Sequence, residues 1–126
     1  MIPVSTPGAP APSGHYSQAV IHEGIVYVSG QLPIDPRSGE KRVGSIEEQT
    51  EQALRNLSQI LSAAGSDKSQ VIKTTVYISD IQLWDRVNAV YADFFVEHRP
   101  ARAVVPTREL HFGFQIEIEA IAAIGR

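Results

Sequence analysis

Arg102 stands inside a short apolar run, Ala101 to Val105, with Pro100 before it and Pro106 after it. A guanidinium buried there without a partner is strongly destabilising, so a carboxylate, a set of carbonyls or a ligand has to meet it. Two arrangements satisfy that demand. One is a structural ion pair with Glu117 or Glu119. The other is a ligand carboxylate or phosphate gripped through parallel hydrogen bonds, for which the small neighbours Ala101 and Ala103 leave room. Glu117 and Glu119 alternate with Ile116 and Ile118, so both carboxylates project from one side of a strand. Paired acids that move protons have this pattern, and so does an ordinary solvated strand face. Asn88 falls on the apolar side of a helix together with Trp84 and Tyr91. Its amide has to be satisfied, locally in the core or by a ligand or a neighbouring subunit. Tyr16 follows Gly14 and His15 where the chain leaves a proline-rich stretch, and its ring and hydroxyl serve either packing or binding.

Other chemistries are poorly supported. His15, His22, His98 and His111 show no HxH or HExxH spacing, and there are no cysteines to complete a zinc set or form disulfides. Gly14 and Gly30 belong to no dinucleotide or phosphate-loop pattern, and no Gly-x-Ser-x-Gly elbow is present. The expectation is no metal, no cofactor, and acid–base or electrostatic catalysis if the protein is an enzyme.

The 126 residues carry 11 Lys and Arg against 14 Asp and Glu, a net charge of −3, which suits one mildly acidic domain over residues 1–126. No apolar run is long enough to span a bilayer and no secretion signal is visible, so a cytoplasmic location with no membrane partner is expected. With no Lys/Arg-rich run and a negative total, nucleic acid is an unlikely partner.

Prolines 3, 7, 10 and 12 mark residues 1–14 as an extended arm. Ser17 to His22 and Ile25 to Ser29 read as strands of a hairpin turning at Glu23-Gly24. Residues 33–44 are turn-rich, with room for an edge strand near Lys41 to Val43. Ser45 with Glu48 forms a capping box that starts a helix running to Gly65. Val71 to Ile78 is β-branched and strand-like, a second helix starts near Asp80 and carries Trp84, Val87, Tyr91, Phe94 and Phe95, and strands follow at Ala101 to Val105 and Phe114 to Ile124. The order predicts an α+β fold, a mixed sheet with both helices on one face. The strands carry apolar residues on both sides, so the second face is expected to meet other copies in a homo-oligomer.

Gly14-His15-Tyr16-Ser17-Gln18-Ala19, Val28-Ser29-Gly30-Gln31, Val87-Asn88, Pro100-Ala101-Arg102-Ala103 and Ile116-Glu117-Ile118-Glu119-Ala120-Ile121-Ala122 together resemble the RidA (YjgF) family, over nearly the whole chain from Ala11. The resemblance implies a chorismate-mutase-like fold and a homotrimer with clefts between subunits. It also implies hydrolysis of reactive 2-enamine and 2-imine acids, such as 2-aminoacrylate, to 2-oxo acids and ammonia. By position, Arg102 corresponds to the arginine that grips the substrate carboxylate and Glu117 to the glutamate near the attacking water. Tyr16, Ser29, Gly30 and Asn88 fall where the cleft is lined, and Glu119 matches a recurring acid of less defined role. An arginine close to Glu117 would lower its pKa, which favours water positioning over proton removal. Val104 stands where many members have cysteine, His15 replaces a proline before the tyrosine, and Leu110 to Phe114 lacks another proline. Alternatives that share the resemblance are an aminomuconate-type deaminase, a non-catalytic 2-oxo acid binder, and an endoribonuclease that inhibits translation.

Overall fold

The computed structural model describes residues 1–125. Six strands form one sheet in the order β1-β2-β3-β6-β4-β5. They are β1 (Ile2–Val4), β2 (Ala19–His22), β3 (Ile25–Gln31), β4 (Val71–Ile78), β5 (Ala101–Pro106) and β6 (Ile116–Ala123). The helices are α1 (Ile46–Ala63), between β3 and β4, and α2 (Trp84–Phe95), which carries the chain from β4 to its parallel neighbour β5. All other pairings are antiparallel.

Local chemistry explains the boundaries. Glu48 N donates to Ser45 Oγ and Ser45 N to Glu48 Oε1, both at 3.1 Å, so the capping box opens α1 as the spacing predicts. After Ala64 the chain turns away through Gly65 at φ +84°. The β2–β3 hairpin turns at Glu23 and Gly24, both at positive φ, as a two-residue turn matched to strand twist requires. Asp80 accepts a bond from Gln82 N and starts a short 3₁₀ turn, so α2 itself begins only at Trp84.

Strand alternation sorts the sheet into two unlike faces. Val26, Val28, Val76, Ile78, Ile116, Ile118, Ala120 and Ala122 are buried beneath Leu54, Leu57, Ile60 and Leu61 of α1 and Val87, Tyr91 and Phe95 of α2. Tyr27, Lys73, Thr75, Tyr77, Glu117, Glu119 and Ile121 occupy the opposite face, which neither helix covers. The expected α+β layering, with both helices on one side, is what forms.

Three details differ from the sequence expectation. Residues 2–4 of the arm form edge strand β1, pairing Ile2 with Ile21 and Val4 with Ala19. An edge position tolerates Pro3, whose missing N–H costs no ladder bond on the outer side. The edge strand expected at Lys41 to Val43 is a single bridge between Ile34 and Lys41. The final strand starts at Ile116, because His111–Gly113 forms a 3₁₀ turn in which Phe112 takes a left-handed conformation.

Buried amides hold the loops that carry the site. Gln18 accepts from Thr6 N and donates to the carbonyls of Thr6, Ala9 and Pro10, which anchors the proline-rich stretch. Gln49 of α1 accepts from Gln115 N at 2.8 Å and donates to Gly44 O, fixing the entry to β6. Asn56 donates to the carbonyls of Leu32 and Ile34 and accepts from Gln52. Replacing Asn56 with leucine strands these groups away from water, and Asn56→Leu is expected to lower stability by about 3 kcal/mol, read from the urea midpoint.

Candidate active site

Arg102 pairs in register with Thr74, whose buried hydroxyl lies 2.7 Å from Tyr91 Oη, so both residues lie on the helix side of the sheet. The Arg102 Nη1 donates to Asn88 Oδ1 at 2.8 Å. Its guanidinium carbon sits 4.7 Å from the Tyr91 ring centroid and 5.3 Å from that of Trp84. Two rings and an amide thus orient the cation, each contributing a modest attraction. Among the described residues neither Glu117 nor Glu119 pairs with it, so the structural ion pair is not what forms. One N–H is used by Asn88, and Arg102 lines a cavity of about 480 Å³ together with Asn88, His98 and Pro100. The Asn88 amide oxygen is satisfied by accepting from the arginine. Val104, two residues on, packs against the hydrophobic core.

Glu117 pairs in register with Tyr77 and therefore projects from the face the helices leave open. Its carboxylate lies over Gly30, at a register shift in the β3–β6 pairing, and a Cβ at position 30 would collide with Glu117 Oε2. A glycine there lets the Glu117 carboxylate keep this position, which a Cβ would push aside. Burial raises the Glu117 pKa above the ordinary carboxylate value, the Glu119 charge adds to the rise, and His111 partly offsets it. The expected lowering by Arg102 does not occur in the single chain, because the sheet separates the two groups. Ser29 Oγ donates to Ser17 O at 2.6 Å and locks the strand entry beside Gly30. Tyr16 is 52% exposed, so it is not a core residue. It shares with Gly30 a cavity of about 170 Å³. Glu119 pairs in register with Thr75 and lines another open-face cavity with Ser29 and Tyr27.

The predicted residues thus fall into two groups. Arg102 and Asn88 lie on the helix side at the β5 edge; Tyr16, Ser29, Gly30 and Glu117 gather around the end of β3. The helical periodicity puts Trp84 and Tyr91 on the face with Asn88, and it is there that their rings meet Arg102. Phe112, which borders the Tyr16–Gly30 cavity, was missed because nothing local foretells its backbone conformation. Among the described residues no cluster of three or more His, Cys, Asp or Glu could hold a metal, and no helix is long and apolar enough to cross a membrane.

A solved structure from Thermotoga maritima superposes with a TM-score of 0.96 at 45% identity, covering 100% of this chain and 99% of that one. Escherichia coli TdcF, solved with bound serine, superposes at 0.94 and 35% identity, covering 99% of this chain and 100% of its own. A rat protein named 2-iminobutanoate/2-iminopropanoate deaminase is 48% identical over 97% of this chain and 89% of its own length. The fold is therefore the α+β domain of those structures, one sheet backed by two helices. The endoribonuclease L-PSP family pattern matches residues 6–124, and the chain belongs to that family, the YjgF/RidA family its motifs resemble.

Because the Glu119 charge contributes to the raised Glu117 pKa, Glu119→Gln is expected to lower it. Titration of ¹³C-labelled glutamate carboxyls by NMR reads the shift; an unchanged or higher value contradicts the coupling.

Proposed function

We propose that this chain hydrolyses 2-imino acids and their enamine tautomers to 2-oxo acids and ammonia, without a cofactor, in the cytoplasm and as a homotrimer. The observation that carries this reading is the separation of Arg102 and Glu117 onto opposite faces of one sheet, each preorganised and each incomplete. A second copy laid against the open face brings the Glu117 group of one subunit opposite the Arg102 group of the next. The relatives' deaminase name and the serine bound to TdcF support a ligand with a carboxylate next to a nitrogen-bearing carbon.

In such a cleft Arg102, held by Asn88, grips the substrate carboxylate and fixes the position of the imine carbon. Orientation of this kind lowers a barrier by several kcal/mol when the reacting atoms are held in contact. Glu117, opposite Gly30, holds the attacking water. As water adds to the carbon of the protonated C=N bond, Glu117 takes a proton from it and returns that proton to the nitrogen; ammonia then leaves as the C=O bond forms, the hydroxyl proton passing to Glu117 and on to the departing ammonia as ammonium. A carboxylate whose pKa is raised is a better proton acceptor than an ordinary glutamate, so Glu117 both positions the water and takes up its proton. Substrate carboxylate neutralises the neighbouring Arg102 and preserves that basicity.

Arg102→Ala is expected to lower kcat/KM about 100-fold, the loss of a charge-assisted clamp of about 2–3 kcal/mol, measured by 2-oxo acid release over the uncatalysed rate. Co-assembling Arg102→Ala with Glu117→Gln is expected to restore activity in roughly a quarter of the clefts, because random mixing places intact groups from different subunits together. A monomer by light scattering, or no recovery in mixed assemblies, contradicts the shared cleft. The family's descriptive name favours a second reading, RNA cleavage; RNA left intact by purified protein that hydrolyses imines counts against it.

A further inference from the structure

The cavity beside Gly30 contains a feature that the hydrolytic steps do not use. Its wall includes Tyr16, Gly30, Leu32, Ile34, Lys41 and Phe112, and its volume is about 170 Å³. Phe112 is 43% exposed and holds φ 61°, ψ 17°, an unusual backbone for a bulky residue. Strain of this kind persists where surrounding contacts over-determine it, and it clusters at ligand sites. Those contacts are present. The His111 ring stacks on Phe112 with centroids 3.7 Å apart, Lys41 Nζ lies 4.6 Å from its centroid, and the buried Phe114 ring meets it edge-on at 5.9 Å. The ring is held at the cavity wall rather than folded into the core.

The amides of that wall are already engaged. Gln18 spends its amide on Thr6, Ala9 and Pro10, and Gln31 donates to Ser29 O. Lys41 rests against the Phe112 ring. The rest of the wall is mostly apolar, the Tyr16 and Phe112 rings with Pro10, Ala11, Leu32 and Ile34, and Ser13 adds one hydroxyl. A ligand group entering it gains apolar contact and finds few free hydrogen-bonding partners.

Resting on the deaminase reading, we infer that Phe112 determines specificity, its ring and Tyr16 forming an apolar subsite for the side chain of 2-imino acids of leucine or phenylalanine size. With the carboxylate on Arg102 and the imine carbon facing the water on Glu117, the side chain is the substituent left to place. The cavity next to Glu117 and Gly30 receives it. A space of 170 Å³ is large enough, since a 150 Å³ apolar cavity accommodates benzene.

The test compares imines generated in situ by an L-amino-acid oxidase from alanine, leucine and phenylalanine, with semicarbazide competing for free imine. The parent is expected to hydrolyse all three. Phe112→Ala is expected to lose about tenfold in kcat/KM on the leucine and phenylalanine imines while the alanine imine changes less than about twofold, the scale set by lost apolar contacts in a pocket. Phe112→Leu, which keeps apolar bulk, is expected to retain most turnover of the leucine imine. Equal losses on all three imines, or no loss, overturn the subsite, whatever the melting temperature of the variants. A parent that accelerates none of them instead overturns the deaminase reading itself.

Discussion

A β-strand sends neighbouring side chains to opposite faces, and in this sheet that constraint decides where the Arg102 cation and the Glu117 carboxylate can stand. Arg102 follows the register of Thr74 to the helix side, and Glu117 follows that of Tyr77 to the open side. The side chains cannot exchange faces, because a one-residue slip would expose Ile116, Ile118, Ala120 and Ala122. The hydrophobic alternation that stabilises the core thus also keeps the cation and the carboxylate apart. Each group is then free to keep the electrostatic character that a direct ion pair would quench.

That separation has a local counterpart in how each group is supported. Arg102 leans on an amide and two aromatic rings, partners that orient a guanidinium without neutralising it. Glu117 sits over a glycine, flanked by another acid and partly desolvated, which weakens its hold on negative charge. Behind both stands a frame of buried amides: Gln18 pins the stretch leading to Tyr16, and Gln49 pins the entry to β6. These bonds are individually modest, yet leaving any of them unmade strands a polar group in the core. The placement of Tyr16 and Glu117 therefore depends on Gln49 of α1 and on Gln18, just ahead of β2.

Much of this was legible in the sequence. The capping box at Ser45 and Glu48, the β-branched run at Val71 to Ile78 and the alternation after Ile116 are local signals, and each formed where expected. The chemistry-bearing residues stood out because a charged or amide side chain in an apolar context demands a partner. Which partner was not legible, since it depends on the pairing of β4 with both β5 and β6, contacts between segments far apart in the chain. That is why the sequence alone leaves an ion pair between Arg102 and Glu117 open, while the register of β4 with β5 and β6 puts them on opposite faces. The β1 strand was hidden by its proline, and Phe112 by a backbone conformation that tertiary contacts impose.

β6 lies at the centre of the sheet, between β3 and β4, although it is the last strand in chain order. The hairpin that includes β2 and β3 and the parallel pair of β4 and β5 have no ladder joining them until it inserts. On the ribosome, residues 116–123 emerge after every other strand, so the nascent domain stays open until they arrive. The segment that closes the sheet also carries Glu117. Structural completion and acquisition of the Glu117 carboxylate are thus the same event.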